Sequence, residues 1–335
     1  MEPQTGNFSI SYFQFASGEV LPELRLHFTA LGEPKRDEAG VVRNAVLILH
    51  GTGGSGQGFL LEQFAGVLFG PDQLLDAERY YIILPDGIGH GQSSKPSDGL
   101  RARFPAYGYT DMIQAQYRLV TEGLGVNHLR LVMGTSMGGM QTWLWGQTYP
   151  DFMDALLPLA SLPAEIAGRN RMTRRMVIDA IRTDPDWQGG EYTTQPRGLV
   201  SAIYILLMMT SSPRQWQKEA PTGLAADTLL EKKVLDYLSR LDANDMLYQF
   251  AASRDYNPAP GLARIKAPLL AVNSADDQVN PPELGLMGAA IGQVEHGRYI
   301  LLPISDETRG HSTHSLPTLW QQYLADLLAE SDRGD

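Results

Sequence analysis

Residues 129–140 read Leu129-Arg130-Leu131-Val132-Met133-Gly134-Thr135-Ser136-Met137-Gly138-Gly139-Met140. Leu129–Met133 is an apolar run expected to form a strand, and the stretch from Met140 to Gly146 is helix-like. Between them lies Gly-x-Ser-x-Gly. A serine at a tight strand-to-helix turn sits in a strained backbone conformation, with its hydroxyl projecting above the sheet edge. Gly134 and Gly138 lack side chains, so chain segments can approach closely around the turn. The helix N-terminus behind it aims backbone N–H groups and partial positive charge at developing negative charge. Ser136 is therefore the candidate nucleophile.

A serine hydroxyl is a poor nucleophile at neutral pH and needs a base, itself oriented by a carboxylate. The strand expected over Pro268–Asn273 is followed by Ser274-Ala275-Asp276-Asp277-Gln278-Val279-Asn280-Pro281. A carboxylate in a loop after a strand's C-terminal end is well placed. Asp277 is the candidate acid and Asp276 the alternative; a solvated Asp-Asp turn is the plainer explanation. The strand expected over Arg298–Leu302 precedes Asp306-Glu307-Thr308-Arg309-Gly310-His311-Ser312-Thr313-His314. His311 is the candidate base, with His314 second. Of the other histidines, His27, His128 and His296 lie in a strand, before the elbow strand and in a polar turn. His90 has no catalytic slot, and His50 shapes the loop after its own strand. Acyl transfer also needs donors for an oxyanion. The N–H of Met137 is one, and the N–H of Thr52 in His50-Gly51-Thr52-Gly53-Gly54 is assigned as the other.

The order serine, acid, histidine is that of α/β-hydrolases, and the rest of the chain suits them. Strands are expected over Phe8–Phe15, Leu24–Gly32, Asn44–Leu49, Tyr80–Leu84 and Leu156–Ala160, besides those above. Helical patterns at Asp111–Gly123, Met140–Tyr149 and Pro281–Ile291 lie between several of them. Strands alternating with helices indicate a mostly parallel central sheet covered on both faces. From Leu162 to Asn257 the alternation stops, and Arg171–Ile181, Gly198–Thr210, Ala226–Leu241 and Met246–Ser253 all look helical. The expected organisation is a hydrolase core of residues 1–161 and 258–335 with an inserted helical cap, 162–257, covering the serine.

Composition narrows the function. The formal charge of −11 argues against nucleic acid and against an anionic membrane surface. The chain of 335 residues has no cysteine, which excludes disulfides, thiolate metal sites and a cysteine nucleophile. Its N-terminus has no secretory pattern, and its most apolar run, Leu199–Met209, falls short of the about 20 residues a bilayer span needs. A soluble, cytoplasmic protein without a membrane partner is expected. Histidines and carboxylates show no metal-binding spacing, so neither metal nor bound cofactor is expected. Gly51-Thr52-Gly53-Gly54-Ser55-Gly56 matches the dinucleotide fingerprint. The second strand ends at Asp86, however, well beyond the about 20 positions at which that fingerprint wants its acid.

Gly134-Thr-Ser-Met-Gly-Gly-Met-Gln-Thr-Trp143 with Tyr149-Pro-Asp151 resembles the homoserine O-acetyltransferase family of α/β-hydrolases. Tyr109-Thr-Asp-Met-Ile-Gln-Ala-Gln116, Asp184-Pro-Asp-Trp-Gln-Gly-Gly-Glu-Tyr192, Asp277-Gln-Val-Asn-Pro-Pro-Glu283 and Gly310-His311 extend the resemblance. It implies an acyl-enzyme on Ser136, acetyl-CoA as co-substrate, and a homodimer built through the cap. In line with the arginine-bearing cap helix of that family, Arg174 or Arg175 could bind a substrate carboxylate. The chain departs from the family at Gly89-His-Gly-Gln-Ser-Ser-Lys-Pro-Ser97, where the family carries Cys-Arg-Gly-Thr-Thr-Gly-Pro. It departs again at Gly-His-Ser312, where the family has Gly-His-Asp. These changes near the acyl acceptor favour ester hydrolysis, with O-acyl transfer to homoserine or a similar hydroxyl as the alternative. Met172, Met176, Tyr204, Met208, Met209 and Trp216 could line an apolar acyl pocket, although each residue type is more often simply core.

Overall fold

Eight strands form one sheet in the order β1-β2-β4-β3-β5-β6-β7-β8. They are β1 (Gln4–Gln14), β2 (Val20–Leu31), β3 (Ala45–Leu49), β4 (Tyr81–Pro85), β5 (Leu131–Thr135), β6 (Leu156–Leu159), β7 (Leu269–Ser274) and β8 (Gly297–Leu302). The computed structural model describes residues 2–332. β1 and β2 pair as an antiparallel hairpin, β2 runs antiparallel to β4, and every pair from β4 to β8 is parallel. Every residue of β3, β4 and β5 is buried. On β3, Leu47 and Leu49 join one apolar cluster, while Val46 and Ile48 join another. Successive side chains of a strand point to opposite faces, so a strand covered on both sides reads as an unbroken apolar run.

Ten α-helices accompany the sheet among the described residues: α1 (Glu62–Leu68), α2 (Tyr109–Arg118), α3 (Met137–Thr148), α4 (Gly168–Arg182), α5 (Gly198–Thr210), α6 (Pro213–Glu219), α7 (Gly223–Leu238), α8 (Ala243–Ala251), α9 (Leu286–Ile291) and α10 (Gln321–Glu330). Five of them, α4 to α8, lie in the chain between β6 and β7. They carry an apolar cluster of their own, including Val177, Ile181, Leu199, Ile203, Met246 and Phe250, which also takes in Val279 from the loop after β7.

Several local expectations shift. The helix expected from Asp111 to Gly123 is α2 followed by a π-turn over Leu119–Gly123. The one expected over Pro281–Ile291 is broken by Gly285 in the left-handed region (φ 66°) into a 3₁₀ turn and the short α9. Leu129 stands outside β5 and only bridges to Met153. Pro213 opens α6, a helix absent from those expected in the insertion. Proline fits the first helical position because that residue's N–H would have no helical partner.

Candidate functional site

β5 ends at Thr135 and α3 begins at Met137, so Ser136 alone makes the turn, at φ 55° and ψ −112°. Such a backbone costs on the order of 1–3 kcal/mol in a residue with a side chain. The glycines around it allow the turn. A Cβ on Gly134 would stand 2.2 Å from the Gly138 carbonyl, and one on Gly138 would stand 1.9 Å from the Leu49 oxygen. The Ser136 N–H donates to Leu159 O at 2.9 Å, tying the elbow to β6.

His311 comes to the serine from the loop after β8. Its Nε2 lies 2.7 Å from Ser136 Oγ, and its Nδ1 lies 2.9 Å from Asp277 Oδ2. The carboxylate accepts from Nδ1–H, which leaves the Nε2 lone pair to accept from the serine hydroxyl. Burial pushes the Asp277 carboxyl up, but the His311 imidazole, the Asn280 side chain and the Val279 N–H together hold it below its ordinary value. The neighbouring Asp276 makes no hydrogen bond to His311; its partners are Ser212, Ser274 and Gly310. Its Oδ2 accepts from the Gly310 N–H at 2.9 Å and from Ser212 Oγ at 3.1 Å, so it braces the loop that carries His311. His314 packs edge-on to His311, with ring centres 5.5 Å apart. Burial and the nearby His311 push it down to about 3, and its Nδ1 has no partner among the described residues.

The loop after β3 faces the same serine. A Cβ on Gly51 would lie 3.4 Å from Ser136 Cβ. His50 shapes this loop as the sequence suggests. Its Nε2 accepts from the Gly87 N–H at 2.9 Å, so the proton sits on Nδ1 and is donated to Gly51 O at 2.8 Å. Burial holds His50 below its usual value, which favours that neutral form. Asp86 fixes the far end of the loop, its Oδ1 accepting from the Gly56 N–H at 2.8 Å. The glycine run is thus packed against the serine turn, and Gly51, Thr52, Gly53 and Gly54 line one cavity with Ser136.

A cavity of about 330 Å³ opens over Ser136 and His311 and is also lined by residues of the helical insertion, among them Arg174, Leu206, Met246, Gln249 and Phe250. Arg174 is 4% exposed. Its Nε donates to Asn170 Oδ1 at 2.8 Å and its Nη1 to Ser253 Oγ at 3.0 Å. Arg175 does not reach this cavity; it is exposed and paired with Asp179 at 2.7 Å, one helical turn away on α4. Position 174 faces inward beside Val177 and Ile181, whereas position 175 faces out. Of the six apolar candidates, only Met209 lines the serine cavity. Met172, Met176, Tyr204 and Met208 are exposed, and Trp216 lines a separate cleft against α7. A larger groove of about 770 Å³ shares Arg174 and Phe250 with the serine cavity but contains neither Ser136 nor His311.

Gln249 and Asp245 were not singled out in the sequence. Gln249 Nε2 donates to Gly89 O at 2.8 Å, and Asp245 accepts from the Ser97 N–H and hydroxyl at 2.8 and 2.6 Å. These bonds anchor both ends of the divergent Gly89–Ser97 segment on α8. Their only sequence signal is a pair of polar residues one turn apart on a helix whose remaining residues, Asn244 aside, are apolar or aromatic.

The α/β-hydrolase fold family matches residues 44–300 of the chain. The chain belongs to that family. A probable acyltransferase of Methanothermobacter thermautotrophicus is 30% identical over 83% of this chain and 84% of its own length. Homoserine O-acetyltransferase of Moorella thermoacetica is 30% identical over 79% and 80% of the two chains. The solved acetyl esterase MekB superposes with a TM-score of 0.84 at 23% identity, covering 97% of each chain, a likeness of fold. No helix among the described residues is long and apolar enough to cross a membrane.

Proposed function

We propose that the chain is a serine-dependent acyl-ester hydrolase acting through an acyl-enzyme on Ser136. The observation that carries this reading is the unbroken line Asp277–His311–Ser136, with contacts of 2.9 and 2.7 Å, whose serine and histidine line a cavity. Ser136 Oγ attacks the ester carbonyl carbon while His311 Nε2 takes its proton. The tetrahedral oxyanion accepts from the Thr52 and Met137 N–H groups; one such donor typically lowers the barrier by about 3 kcal/mol. The C–O bond to the leaving alcohol then breaks, and His311 returns the proton to that alcohol. Water attacks the acyl-enzyme by the same route and frees Ser136. Asp277 keeps the imidazole in the required tautomer and stabilises its cation. Arg174 binds a substrate carboxylate.

The alternative reading replaces water with a hydroxyl acceptor: O-acyl transfer from acetyl-CoA to homoserine or a similar alcohol. The two curated relatives favour it. The Gly89–Ser97 and Ser312 departures favour hydrolysis. We read the protein as cytoplasmic, and as a homodimer joined through the insertion, whose α4 and α5 expose Met172 and Met208 at 59% and 67%. Light scattering of Met172→Lys/Met208→Lys protein, expected to be monomeric, tests the dimer.

Thiol release from acetyl-CoA with and without L-homoserine, beside cleavage of short-chain nitrophenyl esters, separates the two activities, with Ser136→Ala as the blank. Ester cleavage without homoserine-dependent thiol release supports hydrolysis; homoserine-dependent release supports the transferase. An active Ser136→Ala protein overturns both.

A further inference from the structure

The charges around the serine cavity are unbalanced in a way that selects the substrate. Arg174 is a buried cation, and no carboxylate lies within ion-pair distance of it among the described residues. A guanidinium has five N–H donors; only two of Arg174's bonds are to protein acceptors, and both acceptors are neutral. A buried charge without a counter-ion is costly, so an anion entering the cavity gains a partner already in place.

A cation gains nothing comparable. No Asp or Glu is among the residues lining the cavity. Asp277 is occupied by His311, Asn280 and Val279, and Asp276 by Gly310 and Ser212. The second arginine of the lining, Arg240, pairs with Asp236 at 3.1 Å, outside the lining itself. Ser312, also in the lining, brings a neutral hydroxyl. Gln249 offers at most a neutral amide oxygen, its Nε2 being engaged by Gly89. An α-amino acid would bring its carboxylate to Arg174 and strand its ammonium with no acidic partner.

We propose that this cavity selects esters and alcohols that carry a carboxylate and no ammonium, such as those of a short ω-hydroxy acid, with Arg174 as the anchor. This rests on Ser136 being the acylated residue. It also states which substrate class that residue serves, whether water or an alcohol completes the reaction.

The test compares three acetyl esters with the intact enzyme: O-acetyl-γ-hydroxybutyrate, its neutral methyl ester, and O-acetyl-L-homoserine. The anionic ester is expected to exceed both others in kcat/KM by about 10-fold or more, the scale of one charge-assisted hydrogen bond. Arg174→Gln should erase its advantage over the methyl ester. Because Arg174 is buried and its replacement also tests the fold, Ser312→Asp provides a second arm: a carboxylate installed there should move the preference toward O-acetyl-L-homoserine by about 10-fold. Calorimetry on Ser136→Ala protein, with γ-hydroxybutyrate and L-homoserine as ligands, gives a readout independent of turnover. If homoserine binds as tightly as γ-hydroxybutyrate, if neither binds, or if the methyl ester is cleaved as well as the anion, the proposal is overturned. If Ser136 resists a fluorophosphonate and no ester is cleaved, the acyl-enzyme reading fails instead, and calorimetry still decides the charge preference.

Discussion

The parallel sheet and the helical insertion line one cavity from two sides, but their polar groups are arranged differently. On the sheet side, three buried acids are each held by several donors. Asp277 accepts from His311, Asn280 and Val279, Asp276 from Gly310 and Ser212, and Asp86 from Gly56 and Gln92. On the insertion side, Arg174 is left with open donors, and Met172 and Met208 face solvent. A preorganised reaction centre must hold its groups before substrate arrives. A recognition surface leaves groups unpaired for the ligand to complete.

The largest effect expected from this contrast is at Ser136. Ser136→Ala should lower kcat about a million-fold, as for a nucleophile whose triad works as a unit, while the melting temperature stays unchanged. Ser136→Gly should be equally inactive but more stable by about 1 kcal/mol in urea unfolding, because glycine relieves the φ 55° backbone.

The two adjacent aspartates sharpen the comparison within the sheet side. Asp277→Asn should cost about ten-thousandfold in kcat through the wrong imidazole tautomer. Asp276→Asn should chiefly lower stability, by about 2 kcal/mol, as the Gly310 N–H loses its charged acceptor. Equal kinetic losses in both variants would break the assignment of Asp277.

Gly138→Ala should destabilise by about 3 kcal/mol, since its Cβ would meet Leu49 O at 1.9 Å. Chemical unfolding of this variant tests whether close approach, rather than sequence habit, keeps the glycine.

A smaller effect tests the contact between the two regions. Burial raises the Asp245 carboxyl to about 6, against the opposing bonds from Ser97. The fold therefore binds that proton better than the unfolded chain does, and this group's contribution to stability falls as pH rises from about 4 to about 6. Asp245→Asn should be relatively more stable above pH ~6 than below pH ~4, as thermal unfolding across that range would show. The smallest effect is at Arg175: replacing it with alanine should change stability by less than about 0.5 kcal/mol, its ion pair with Asp179 being exposed.

The legibility of the chain follows the same division. The Ser136 turn, the unbroken strands β3 to β5 and the acid and base loops were readable because each rests on local backbone demands: a turn that only glycine neighbours permit, or a strand covered on both faces. Helices in the insertion were readable from apolar spacing, but their inward and outward faces were not. Arg174 and Arg175 are adjacent and chemically alike, yet one is buried and lines the serine cavity and the other is solvated. Met209 and Met208 differ in the same way.

The sequence by itself determined the strand–turn–helix at Ser136, the order of serine, acid and histidine, and the absence of any thiol chemistry, because those depend on residue identity and near-neighbour spacing. Tertiary structure decided that Asp277 rather than Asp276 meets His311, since both occupy one loop and only its path relative to Gly310 tells them apart. It also decided that Arg174 lines the same cavity as the nucleophile and that no acid among the described residues lines it with them. Those facts arise where helices far apart in the chain pack against the sheet, and no local pattern encodes that packing.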